Sequence, residues 1–146
     1  MKIKTALLAA TSIVVMSTAN AAEEDLVKYR MKLMEIIGGH MGSIAAIVKS
    51  EVPYKTDLAY HAKGLAEAAP LIKPSFETKA MTDKSEALPK IWDNWEDFAK
   101  MADKLETASA DLSAAITSGD RAAMGAALNA TGKSCKGCHD EYMEDH

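Results

Sequence analysis

From Asp120 to Tyr142 the chain reads DRAAMGAALNATGKSCKGCHDEY. Within it Met124, Leu128, Thr131, Cys135, Cys138 and Tyr142 recur at spacings of 4, 3, 4, 3 and 4, the period of one helix face. The spacing predicts a helix that Asp120 can cap, its carboxylate accepting the first unpaired N–H groups. Both cysteines then fall in the seam that faces the rest of the molecule.

Upstream the same period returns three times. Val27, Arg30, Met34, Ile37, Met41, Ile44 and Val48 form one stripe, widened by Leu26, Tyr29, Leu33, Ile36 and Ile47. Gly38-Gly39 sits inside it, a place expected to weaken the helix or admit a neighbour, and Pro53 closes it. A second segment, about Thr56 to Leu71, carries Leu58, His61, Leu65, Ala68 and Ile72, with Pro70 and Pro74 as its stop. Residues 73–89 lack periodicity and read as a long ordered loop. The third segment places Trp95, Phe98, Ala102, Leu105, Leu112 and Ile116 on one face, with Asp93 or Asn94 to cap it. Thr117-Ser118-Gly119-Asp120 breaks it from the last helix. No segment alternates with the strand period. Four amphipathic helices joined mostly by short turns predict an all-α fold, an antiparallel up-down-up-down four-helix bundle.

Composition agrees. The chain has 146 residues, 48% of them hydrophobic but only 5% aromatic, which favours helix over sheet and suffices for one packed domain. The formal net charge of −4 excludes an electrostatically driven nucleic-acid or anionic-membrane partner. Residues 1–21 read as a secretory signal peptide: Lys2 and Lys4, an apolar stretch from Thr5 to Ala19, then Ala19-Asn20-Ala21 as the cleavage site. Glu23-Glu24-Asp25 follows with no stop-transfer pattern, so no membrane span is expected in the mature protein. Loss of the leader's two lysines takes the net charge from −4 to −6 and leaves residues 22–146 as one exported domain, expected in a bacterial periplasm.

The two cysteines of the chain lie together in Cys135-Lys136-Gly137-Cys138-His139. In an exported protein this spacing is that of covalent haem c attachment. Two thiols three residues apart on a helix can each bond a vinyl group on one haem edge, and His139 can then ligate the iron. The alternatives fit less well. A thioredoxin-like pair needs a βαβ context, a structural zinc needs further ligands at suitable spacing, and a disulfide leaves His139 without a role.

Few residues follow His139, so any sixth iron ligand must come from upstream helices. Met34, Met41 and His40 are the first candidates, then His61 and Met101. Arg30 interrupts an apolar stripe, and a buried guanidinium needs an acceptor; a haem propionate is one, and a side chain that snorkels to solvent is the alternative. Met34 stands one turn later, where ordinary core packing competes with ligation.

With these residues placed, the sequence resembles the cytochrome c′ family, the class II c-type cytochromes. The resemblance runs through Asp25-Leu26-Val27-Lys28-Tyr29-Arg30 with Met34, Gly38-Gly39-His40-Met41-Gly42, and Lys49-Ser50-Glu51-Val52-Pro53-Tyr54. It continues through Leu88-Pro89-Lys90-Ile91-Trp92 and the segment Gly132–Tyr142. Cytochromes c′ are themselves among the four-helix bundles. The resemblance implies one covalent haem c, with thioethers at Cys135 and Cys138 and His139 as proximal ligand. It also implies a propionate-binding role for Arg30, the distal position for Met34, and a propionate loop before Leu88 in which Glu86 is a contact. Homodimers through the first two helices are a further implication. Members often carry a basic residue four positions after the haem histidine; here it is Met143.

Two functions follow. A methionine-ligated, six-coordinate haem suits one-electron transfer among periplasmic redox proteins, and this is the first reading. A five-coordinate, high-spin haem with a blocked distal face would bind nitric oxide or carbon monoxide, as a gas carrier or in nitrosative-stress protection. An enzyme such as a peroxidase would need an acid–base group over the iron, and His40 is the one candidate near Met34.

Overall fold

The computed structural model describes residues 13–144, with side chains described from Ala21 onward. Of the expected signal peptide, residues 1–12 lie outside the described residues, and helix α1, Ile13–Val48, runs through the expected cleavage point. After it come α2 (Leu58–Ala68), α3 (Ile72–Phe76), α4 (Lys90–Asp93), α5 (Trp95–Ser118) and α6 (Arg121–Tyr142). The bundle consists of α1, α2 continued by α3, α5 and α6. Among the described residues there is no strand, only an isolated antiparallel bridge between Ala87 and Met143.

Local chemistry sets the ends of these helices. The α1 helix stops before Pro53. Glu51 N–H reaches back to Ala46 O at 2.9 Å and Ser50 N–H to Ile47 O at 3.0 Å, with Ser50 left-handed at φ 62°. This is the Schellman closure, in a position that usually holds glycine. Gly119 fills the corresponding position after α5, at φ 75°. Asp120 caps α6 as its sequence position predicts, its Oδ1 accepting from Ala122 N–H at 2.9 Å and Ala123 N–H at 3.1 Å.

Pro70 and Pro74 do not end the second segment. A 3-10 turn at Ala69–Leu71 leads into α3, and the chain stays helical to Phe76. Each proline lies in the first turn of a new helical piece, where the missing N–H would have had no partner. The expected loop therefore starts only at Glu77.

The core is mostly apolar. Ile44, Leu65, Ile91 and Leu112 are fully buried, from α1, α2, α4 and α5 in turn. Two buried hydroxyls are satisfied: Ser109 donates to Glu106 O, and Thr131 to Ala127 O and, across to α5, to Ala108 O. Gly38 and Gly39 receive no neighbour; both are exposed and a Cβ on either would meet open space. The close approach is at Gly64 instead, where a Cβ would lie 2.5 Å from the His40 ring. The stretch Ala21–Val48 is long and apolar enough to cross a membrane by length and composition. Its inward side, with Leu33, Ile37, Ile44 and Ile47 buried, is bundle core.

Candidate haem site

Between α1, α5 and α6, under the loop that follows α3, lies a cavity of about 560 Å³. A larger but open groove of about 880 Å³ along α5 and α6 is walled by alanines and surface charges and holds none of the motif residues. In the cavity, α6 contributes Cys135 and Cys138 from its inward seam and His139 from beside it. Both cysteines are half-buried and unbridged, while His139 is exposed at the cavity edge. Burial in apolar surroundings raises both thiols; Cys138 is pushed up to about 11, with Cys135 and then Asp97 adding to the effect. They are neutral thiols, unlike the activated thiolates of redox or zinc sites.

The facing wall is α1. Arg30, Met34, Gly38 and Met41 border the cavity along one stripe of that helix, and Met34 is half-buried. Met101 borders it from α5. His40 and His61 do not. Their Nδ1 atoms meet at 3.1 Å between α1 and α2, so both leave the set of candidate distal groups.

Arg30 does not snorkel: it is 4% exposed. Its Nε donates to Ser75 O at 2.8 Å, Nη1 to Ala80 O at 2.9 Å, and Nη2 to Thr78 O. The guanidinium also lies 4.7 Å from the centre of the Phe76 ring and 5.4 Å from that of Trp92. Carbonyl oxygens rather than a carboxylate thus receive this buried charge, and the loop 77–80 is folded around it. Three of its five N–H groups are engaged in this way, and the residue borders the cavity.

Glu86 is exposed and also borders the cavity. Its backbone carbonyl accepts the Glu144 N–H at 2.8 Å, and Leu88 N–H donates to Tyr142 O at 2.9 Å. These bonds and the Ala87–Met143 bridge clip the loop to the end of α6. Met143 lines the cavity along with His139.

The cavity fits a covalent haem. Its volume lies within the roughly 300–1,000 Å³ of cofactor sites. One wall offers two neutral thiols and an imidazole, the other a thioether; a guanidinium stands at the side, and the rest is mostly apolar, with Glu35, Ser85, Glu86 and Ser134 among the lining residues.

Comparison with known proteins agrees. The sequence profile of the family described as Cytochrome C′ matches residues 25–143. The chain belongs to the cytochrome c′ family. It is 37% identical over 125 residues to cytochrome c′ of Pararhodospirillum photometricum, covering 85% of this chain and 100% of that protein. To a cytochrome c-556 of Agrobacterium tumefaciens (strain apple 185) it is 39% identical over 114 residues, 77% of this chain and 90% of that one. Among solved structures, cytochrome c prime from Shewanella frigidimarina matches with a TM-score of 0.79 at 30% identity, over 84% of this chain and 97% of that one. A nitric oxide complex of a variant cytochrome c prime from Alcaligenes xylosoxidans matches at 0.77 and 29% identity, over 85% and 97%. As a cytochrome c′ family member the protein is a class II c-type cytochrome with one covalent haem c.

Several contributors to this cytochrome c′ site had no signal in the sequence. The carbonyls of Ser75, Thr78 and Ala80 carry no side-chain identity to read. Phe76 and Trp92 meet Arg30 only because the loop returns across α1. Tyr142 stood in the α6 seam, but its bond to Asp97 Oδ2 at 2.9 Å depends on how α5 packs.

Proposed function

We propose that this cytochrome is a periplasmic one-electron carrier whose haem is held by Cys135 and Cys138, with His139 as proximal and Met34 as distal iron ligand. The observation that carries this reading is the shared cavity. The Cys135–His139 segment of α6 and the Met34 thioether of α1 border the same apolar space from two helices. Haem c supplies a one-electron Fe(III)/Fe(II) couple. The chain's own residues set its surroundings. Cys135 and Cys138 would tether the group, His139 would present an imidazole nitrogen, and Met34 a soft sulfur that favours the reduced metal. Phe98, Leu105, Ala102 and Ile91 keep water from the interior. Arg30 and the Glu86 loop stand where propionates would be held.

Leader cleavage after Ala21 would leave residues 22–146 as an exported acidic protein that docks on a basic surface of its redox partners. N-terminal sequencing of the secreted protein tests this. Exposed Tyr29 and Ile36, one heptad apart on α1, with Tyr60 on α2, support a homodimer through these helices.

The second reading is gas binding at a five-coordinate haem. The nitric oxide complex of the Alcaligenes xylosoxidans protein favours it, as does the company of Met34. Met41 and Met101 line the same cavity, so a thioether there has a packing role to fill without ligation. The ferric absorption spectrum separates the two. A low-spin spectrum with a methionine–iron charge-transfer band, lost in Met34→Leu, supports the carrier. A high-spin spectrum with carbon monoxide binding on reduction overturns it in favour of gas binding.

A further inference from the structure

Away from the haem cavity, α1 and α2 meet through a pair of imidazoles. His40 Nδ1 and His61 Nδ1 are 3.1 Å apart, with ring centres at 5.3 Å and planes inclined at 62°. Tyr60 packs edge-on against both rings. Gly64 makes room for the arrangement, because a Cβ there would stand 2.5 Å from His40 Nε2 and Cε1. The His40 ring is thereby held with its Nε2 side on the α2 backbone and its Nδ1 aimed at His61. Both histidines are half-buried, and among the described residues neither is in an ion pair with a carboxylate.

Two nitrogens held this close do one of two things: they share a proton, or they chelate. An ion about 2.0–2.1 Å from each nitrogen would see them about 98° apart at the 3.1 Å separation, between the octahedral and tetrahedral angles. We infer that His40 and His61 form a two-imidazole site for one borderline divalent cation, Zn²⁺, Ni²⁺ or Cu²⁺, bridging α1 to α2. Imidazole is a preferred donor for all three ions. Binding requires the ring protons on the Nε2 atoms, so that both Nδ1 lone pairs are free, and water completes the shell. The shared proton and the ion compete for the same two atoms.

The test is calorimetric titration of ZnCl₂ into the haem-loaded full chain near neutral pH. The chain has 4 histidines; with His139 engaged by haem, a His146→Gln background leaves only the pair. One saturable site per chain is expected. His61→Gln should weaken it by more than the roughly 10- to 100-fold that loss of an outer-shell partner costs a metal site. Gly64→Ala removes no ligand but displaces the His40 ring, and should weaken binding as well. Zinc should raise the melting temperature of the parent and not that of His61→Gln, while haem absorption, unchanged throughout, reports that each variant is folded. Binding that persists undiminished in His61→Gln, or no saturable binding in the parent, overturns the assignment.

Discussion

Replacing Arg30 by methionine removes the charge that folds the loop after α3 against the bundle while keeping a long, flexible side chain in its place. Three guanidinium N–H groups donate to Ser75, Thr78 and Ala80 carbonyls, and the group lies on two aromatic rings. A hydrogen bond to a charged group contributes about 1.5–3 kcal/mol, so three would sum to several times that. Two terms reduce the sum. Thr78 is exposed and its carbonyl can turn to water, and the buried guanidinium has itself lost hydration, which also lowers its pKa. Ala80, 1% exposed, cannot rehydrate without moving. The expected loss is therefore about 2–4 kcal/mol, chiefly that of leaving the Ala80 and Ser75 carbonyls without a donor. Arg30→Lys keeps the charge but not the fork, and should recover less than half. Urea denaturation of the haem-loaded protein, followed by far-UV circular dichroism, measures both. An Arg30→Met variant within about 1 kcal/mol of the parent would refute the clasp and leave Arg30 with a role toward the cavity ligand alone.

Leu112→Ala, at a position with 0% exposure, should cost about 2–5 kcal/mol and lower the urea midpoint without changing the slope. Ser50→Gly relieves a left-handed residue at φ 62°; a relief of roughly 1–2 kcal/mol less the added freedom of glycine when unfolded predicts a gain of about 0.5–1 kcal/mol, read as a higher urea midpoint. Tyr142 is buried and donates to Asp97, which pushes its pKa up to about 12. The unfolded chain therefore loses this proton first, so the contribution is complete below about pH 10 and is lost as pH rises toward 12. Tyr142→Phe should cost about 1 kcal/mol at neutral pH and flatten the alkaline loss, read as melting temperature against pH.

The four long helical stripes and the grouping of the α6 motif could be read from the sequence alone. Periodicity depends only on which residues are apolar, and capping only on neighbours a turn away, so the stripes of α1, α5 and α6 and the Asp120 cap were all legible. The shared placement of Cys135, Cys138 and His139 beside one cavity was legible too, because their relation is fixed within little more than one turn of a single helix. The prolines at 70 and 74 misled, since whether a proline stops a helix depends on which N–H groups already lack partners. Tertiary structure decided everything that relates one helix to another. It put Met34, Met41 and Met101 on the cavity and His40 and His61 on each other, although all five sit in similar amphipathic stretches. It gave Arg30 three backbone carbonyls, and it tied the Glu86 loop to the end of α6. Backbone oxygens have no letter in a sequence, and the rotation of one helix about its axis against another is set by the packing of the whole core.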